Sequence, residues 1–168
     1  MKKLIFLTLV FILSEVTYSQ NCKYEKNEVD NFTGKSIKVT SKSVVFADPF
    51  DPQSKSMFFR FNQVDDINYL SVSKWYSSII SVNKLDILMI KLSSGEILKL
   101  ESLDGKVATP YSSKWHIDID YSLTKENLKK IQENLISEVR IYTNSGYIDY
   151  VVKPKNASKI MSTSNCIK

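Results

Sequence analysis

Between residues 115 and 152 apolar and polar positions alternate regularly enough to be read element by element. Trp115, Ile117, Ile119 and Tyr121 alternate with His116, Asp118 and Asp120, the two-residue period of a strand with one buried face. A helix follows, capped by Thr124. Leu123 and Leu128 stand at the positions of a hydrophobic staple, and Leu128, Ile131 and Leu135 recur at helical spacing. The period then returns to two. Val139, Ile141 and Thr143 share one face, Ile148, Tyr150 and Val152 align on the return strand, and Asn144-Ser145-Gly146 makes the turn. Pro154 ends that strand and opens a last helix striped by Ala157, Ile160 and Met161. The order is β-α-β-β-α, and helices this short need a sheet to cover their stripes.

Upstream, residues 37–47 alternate as one long strand, fed by a Thr33-Gly34 turn, with Val29 and Phe32 as apolar anchors before it. The segment Asp48-Pro49-Phe50-Asp51-Pro52 is a loop, because neither proline donates to a ladder. Residues 57–62 read as a strand with Phe59 and Phe61 on one face and Phe58 and Arg60 on the other. Residues 67–72 and 78–82 read as two strands, joined by a connection that carries Trp75 and Tyr76. Residues 85–92 and 96–103 form a hairpin around Ser93-Ser94-Gly95, and residues 104–114 are a long connection.

These elements predict an α+β domain: a mostly antiparallel, curved or two-layered sheet of about seven to nine strands, with two short C-terminal helices on one side. A β-sandwich or open barrel with appended helices is the alternative. The strand–helix–strand segment implies at least one parallel neighbour if its strands share a sheet.

The first residues change the picture from a fold to an exported fold. Lys2 and Lys3 precede an apolar run over residues 4–13, and Thr17 and Ser19 occupy the −3 and −1 positions of a cleavage site. The run is shorter than the roughly twenty residues of a membrane span. The expected division is a signal peptide at residues 1–19 and a single α+β domain at residues 20–168, starting at Gln20 and located in the periplasm or outside the cell. No membrane span is expected in the mature chain.

Export gives the two cysteines meaning. Cys22 and Cys166 form an even set in an oxidising compartment, and a bridge between them would tie the domain's ends together. A lipid-modified Cys22 is the competing reading, although Ser19, Gln20 and Asn21 lack lipobox context. Without the leader the net charge falls from +5 to +4, with lysines scattered among acids, so no nucleic-acid footprint is expected.

The segment Asn27-Glu28-Val29-Asp30-Asn31-Phe32-Thr33-Gly34, the strand at residues 82–92 with Ser94-Gly95, and the hairpin at residues 139–149 resemble a group of small exported Gram-negative bacterial proteins of unassigned function. The resemblance implies a shared fold and export, and it carries no catalytic or binding residue.

Little in the chain signals chemistry. His116 is the one histidine. There is no G-x-S-x-G elbow and no phosphate-cradling or dinucleotide glycine motif, so no catalytic residue and no cofactor is assigned. His116, Asp118 and Asp120 share a strand face with Cα atoms roughly 6.5 to 7 Å apart from one to the next. That set resembles metal ligands, but the better account is the polar side of an amphipathic strand, and no metal is assigned. Glu25, Glu28 and Asp30 likewise read as solvated acids. The functional expectation is a non-catalytic binding or structural module contacting an extracellular protein, peptide or glycan through Phe58, Trp75 and Tyr76. The alternative is a small secreted or periplasmic hydrolase using His116 with carboxylates.

Overall fold

The computed structural model describes residues 22–51 and 56–168. The expected signal peptide at residues 1–19, the expected mature start at Gln20, and Pro52 of the proline loop lie outside the described residues. In chain order the elements are β1 (Tyr24–Val29), β2 (Ser36–Thr40), β3 (Ser43–Phe46), β4 (Met57–Val64), β5 (Ile67–Tyr76), β6 (Ser81–Val82) and β7 (Ile87–Leu92). They continue as β8 (Ile97–Glu101), β9 (Lys106–Val107), β10 (Thr109–Tyr111), β11 (Lys114–Ser122), α1 (Lys125–Glu133), β12 (Ile136–Thr143), β13 (Gly146–Val151) and α2 (Pro154–Ser164).

A large sheet has the order β1-β2-β4-β5-β11-β10, with β3 also paired to β4, and a second sheet has the order β13-β12-β7-β8. A two-stranded ribbon joins β6 and β9. The architecture is mostly antiparallel α+β with open sheets, not a barrel.

The parallel neighbour implied by the strand–helix–strand segment is not formed. β11 already has β5 on one edge and β10 on the other, so β12 has no free edge to join there. It pairs antiparallel with β7 in the second sheet, and α1 carries the chain from one sheet to the other.

The 37–47 run is also two strands. Both lie along β4, β2 against residues 62–64 and β3 against residues 57–59, with a break at Ser41 and Lys42. Thr40 patches the gap, its Oγ1 accepting the Phe61 N–H at 2.9 Å. Ahead of this pair Val29 is mostly exposed and Phe32 fully so, which corrects their reading as anchors. The turn is fixed by hydrogen bonds instead, since Asp30 Oδ1 accepts the N–H groups of Phe32 and Thr33 at 2.9 and 2.8 Å.

Phe59, Phe61, Leu70, Val72, Ile117 and Ile119 from the large sheet share one core with Leu88, Ile90, Val139 and Ile141 from the second. The helices close it with Leu128, Ile131, Ala157 and Ile160. The Thr124 cap forms as the sequence predicts, with Oγ1 accepting the Asn127 N–H at 3.1 Å. Gly146 takes the positive φ, +107°, that its turn requires.

The largest revision concerns β5. Residues 73–76 are not a connection but the continuation of the strand, because β4 supplies ladder partners as far as Lys74 and β11 as far as Tyr76. Among residues 104–114, Lys106–Val107 and Thr109–Tyr111 are likewise strands rather than loop. Cys22 and Cys166 stand at disulfide distance with Cα atoms 5.6 Å apart, within the range of natural bridges.

Candidate functional site

The strand period sorts β5 into two faces. Leu70, Val72, Lys74 and Tyr76 point inward, while Tyr69, Ser71, Ser73 and Trp75 point outward. Trp75 and Tyr76, which the sequence places together on one connection either as lids on the core or as a contact surface, therefore serve opposite sides of the sheet. Tyr76 is 7% exposed and belongs to the core, so it leaves the group of surface contact residues.

The outward face is built in rows across β4, β5 and β11. One row is Trp75 beside His116, the next is Phe58, Ser73 and Asp118, and the third is Arg60, Ser71 and Asp120. Phe58 and Trp75 are diagonal neighbours on adjacent strands. The indole packs on the His116 ring at 4.5 Å between centroids and meets Tyr111 of β10 edge-on at 5.3 Å. Tyr111 is 67% exposed, so this aromatic group opens to solvent.

Below the aromatics, serine hydroxyls fix the carboxylates. Ser73 donates to Asp118, and Ser71 donates to Asp120 at 2.5 Å while accepting from Asn62 Nδ2 at 2.8 Å. Arg60 reaches Glu25 at 3.1 Å and Asp118 at 3.5 Å, which holds a guanidinium between the second and third rows. The set His116, Asp118 and Asp120 is thus part of a cross-strand network. Among the described residues no group of three or more His, Cys, Asp and Glu side chains has metal-site geometry.

Ser73, His116 and Asp118 invite comparison with a hydrolase triad, and the order of contacts decides against it. In a triad the histidine stands between the nucleophile and the carboxylate. Here the carboxylate stands between, accepting from Ser73 and lying 3.7 Å from His116 Nδ1. Ser73 is also only 1% exposed. His116 has its pKa lowered below the usual 6.5, first by burial and then by Lys42 and Arg60, with Asp118 opposing. The imidazole is mainly neutral at pH 7 and is suited to hydrogen bonding and stacking.

A second concavity lies on the inner side of β5. Lys74 is 3% exposed on a face otherwise made of Leu70, Val72 and Tyr76. Its ammonium donates to the Trp75 carbonyl at 2.6 Å and sits 4.7 Å from the Tyr76 ring centre and 5.4 Å from that of Tyr150. The cleft around it, about 530 Å³, is walled by Phe46, Tyr76, Ile148 and Tyr150. Sequence reasoning missed Lys74. Carrying the two-residue period of residues 67–72 four positions further would have put a lysine on an apolar face, which is the available signal.

No protein family matches the chain, and neither curated proteins nor solved structures show a match to it.

Proposed function

We propose that the protein is an exported, non-catalytic binding module whose large-sheet face takes a glycan. The observation that carries this reading is the solvent-open Trp75, His116 and Tyr111 group standing beside carboxylates and a guanidinium already held in place. A sugar ring presents apolar C–H faces that stack on an indole. Its hydroxyls donate to carboxylates such as Asp118 and Asp120 and accept from a guanidinium such as Arg60. Because serines and Arg60 already order these groups, binding costs little further side-chain entropy. Phe58, half-buried one row away, extends the apolar surface.

Export is supported by the basic and apolar leader pattern and by the cysteine pair at disulfide distance, a linkage that persists in oxidising compartments. Among the described residues no helix is long and apolar enough to cross a membrane.

An array of neutral and acidic oligosaccharides, followed by calorimetry, tests the reading. The expected result is saturable binding without turnover, weakened about tenfold or more in Trp75→Ala, as befits loss of an aromatic anchor. Hydrolysis of a glycoside, ester or peptide that disappears in His116→Ala would restore the hydrolase alternative. Glycan binding that Trp75→Ala leaves unchanged would remove this face from the account.

A further inference from the structure

Positive charge is not spread evenly along this chain. Residues 31–47 carry Lys35, Lys38 and Lys42 and no acid, and residues 150–168 carry Lys153, Lys155, Lys159 and Lys168 and no acid. The fold brings one lysine of each stretch to the same corner. Lys42 lies in the break between β2 and β3, Lys159 lies on α2, and α2 packs on β3. The Ser43 and Thr163 hydroxyls share a hydrogen bond at 2.8 Å, which fixes that packing. Cys22 and Cys166, with Cα atoms 5.6 Å apart, bring Lys23 to join them.

Lys23, Lys42 and Lys159 line a hollow of about 220 Å³ with the hydroxyl residues Ser41, Ser162 and Thr163, and no acid lines it. Among the described residues none of the three lysines has an ion pair, and the Ser41 and Ser162 hydroxyls have no hydrogen-bond partner. Glu25, the acid nearest Lys23 in sequence, is held by Arg60 at 3.1 Å. Ammonium groups around one hollow repel one another, and an anion between them replaces that repulsion with attraction. A tetrahedral ester group with several terminal oxygens suits separate point-charge donors, whereas a planar carboxylate is best matched by the fork of an arginine. The hollow also borders the glycan face. Lys42 precedes Ser43, which pairs with Phe59 between Phe58 and Arg60 of that face. After burial, Lys42 is the group that most lowers the His116 pKa, so it stands within electrostatic reach of the aromatic group. Asp118 and Asp120 repel an anion set on the face itself, which leaves the lysine hollow as the place for it.

We propose, resting on the glycan reading of the Trp75 face, that the glycan bears a sulfate or phosphate ester and that the hollow of Lys23, Lys42 and Lys159 is the subsite for that ester. One sugar ring stacks on Trp75 with its hydroxyls on Asp118 and Asp120. The ester, carried by another sugar of the same oligosaccharide, enters the hollow, where the Ser41 and Ser162 hydroxyls add donors to the three ammonium groups.

Calorimetry on the purified, oxidised protein tests the proposal with two ligand pairs. The charged members are a κ-carrageenan tetrasaccharide bearing sulfate esters and a mannose oligosaccharide bearing a terminal phosphate ester, each set against the same oligosaccharide after removal of its ester. At least one charged member should bind at least about tenfold more tightly than its uncharged counterpart, and the pair that shows the gain identifies the ester. The gain should shrink as salt is raised. Combining Lys23→Gln, Lys42→Gln and Lys159→Gln, all at exposed positions, should bring the charged member down to the affinity of the uncharged one. The comparison within each pair uses the unmodified protein and therefore decides the matter even if a variant folds poorly. No binding by either pair, equal affinity within both pairs, or a gain that survives in the folded triple variant would each overturn the proposal. The glycan reading fails separately, when Trp75→Ala leaves binding of the neutral oligosaccharides of the array unchanged, so the two failures are distinguishable.

Discussion

Replacing both Cys22 and Cys166 by serine should destabilise the protein mainly through the unfolded chain. The C-terminus is held in the native state by more than sulfur. Ile167 is 1% exposed, the Lys168 carbonyl oxygen accepts from Gln63 Nε2 at 2.9 Å and Asn68 Nδ2 at 3.1 Å, and Tyr24 donates to the Cys166 carbonyl at 2.8 Å. Those contacts survive the substitution, so the folded structure should persist. What changes is the loop constraint on the denatured ensemble. The two cysteines are 144 residues apart, and loop-closure entropy for a span of that length gives about 5 kcal/mol at 25 °C as an upper value. For a domain of this size each kcal/mol moves the melting midpoint by about 2–4 °C, so the full effect is roughly 10–20 °C. Urea titration followed by circular dichroism measures it, with the wild type under reductant as a second arm. The m-value should rise as well, because a chain released from its cross-link exposes more surface on unfolding. A loss under about 1 kcal/mol with an unchanged m-value would refute the argument that the bridge acts by restricting the unfolded chain.

Other predictions rest on single groups. The Tyr121 hydroxyl is buried without a partner among the described residues, so Tyr121→Phe should be neutral or stabilising by up to about 1 kcal/mol in thermal melts, and a clear loss would reveal a hidden partner. His116, the one histidine, should titrate below 6.5 by NMR, and Asp118→Asn should lower it further because Asp118 is the group that raises it. The folded state therefore resists a proton that the unfolded chain accepts, and the stability contributed above pH 6.5 should fall as the pH drops through and below that value. A midpoint above 6.5, or stability rising on acidification over that window in a manner lost in His116→Ala, would contradict this.

How much of this was legible in the sequence depended on whether burial followed the binary pattern. Around Ile117, Leu128 and Ile141 the alternating apolar residues face the core, with Tyr147 and Val151 of the hairpin exposed as exceptions, so strand, helix and hairpin could be read directly. β5 breaks that code twice. Lys74 faces in and Ser71 and Ser73 face out yet are buried, so the strand looked as if it ended at Val72 and its last four residues looked like a connection. Those exceptions lie where a lysine and two serines are accommodated by neighbouring groups, with Ser71 and Ser73 hydrogen-bonded to Asp120 and Asp118 and Lys74 to the Trp75 carbonyl. Val29 and Phe32 failed in the opposite sense, because apolar residues on an edge strand and its turn need not be covered. The pairing of β12 was also beyond sequence reading, since it depends on which strand edges remain free once β10 has closed the far edge of β11.

The central claim is that the outward face of β4, β5 and β11 is a glycan platform. Its most direct test is a chemical-shift map of the isotopically labelled protein titrated with the best oligosaccharide from the array. The account predicts saturating shifts at the Trp75 indole N–H, the His116 ring and the Arg60 guanidinium, with Lys74, Tyr76 and Tyr150 unmoved. Shifts confined to the inner cleft or to the second sheet, with Trp75 and His116 unchanged at saturation, would contradict it.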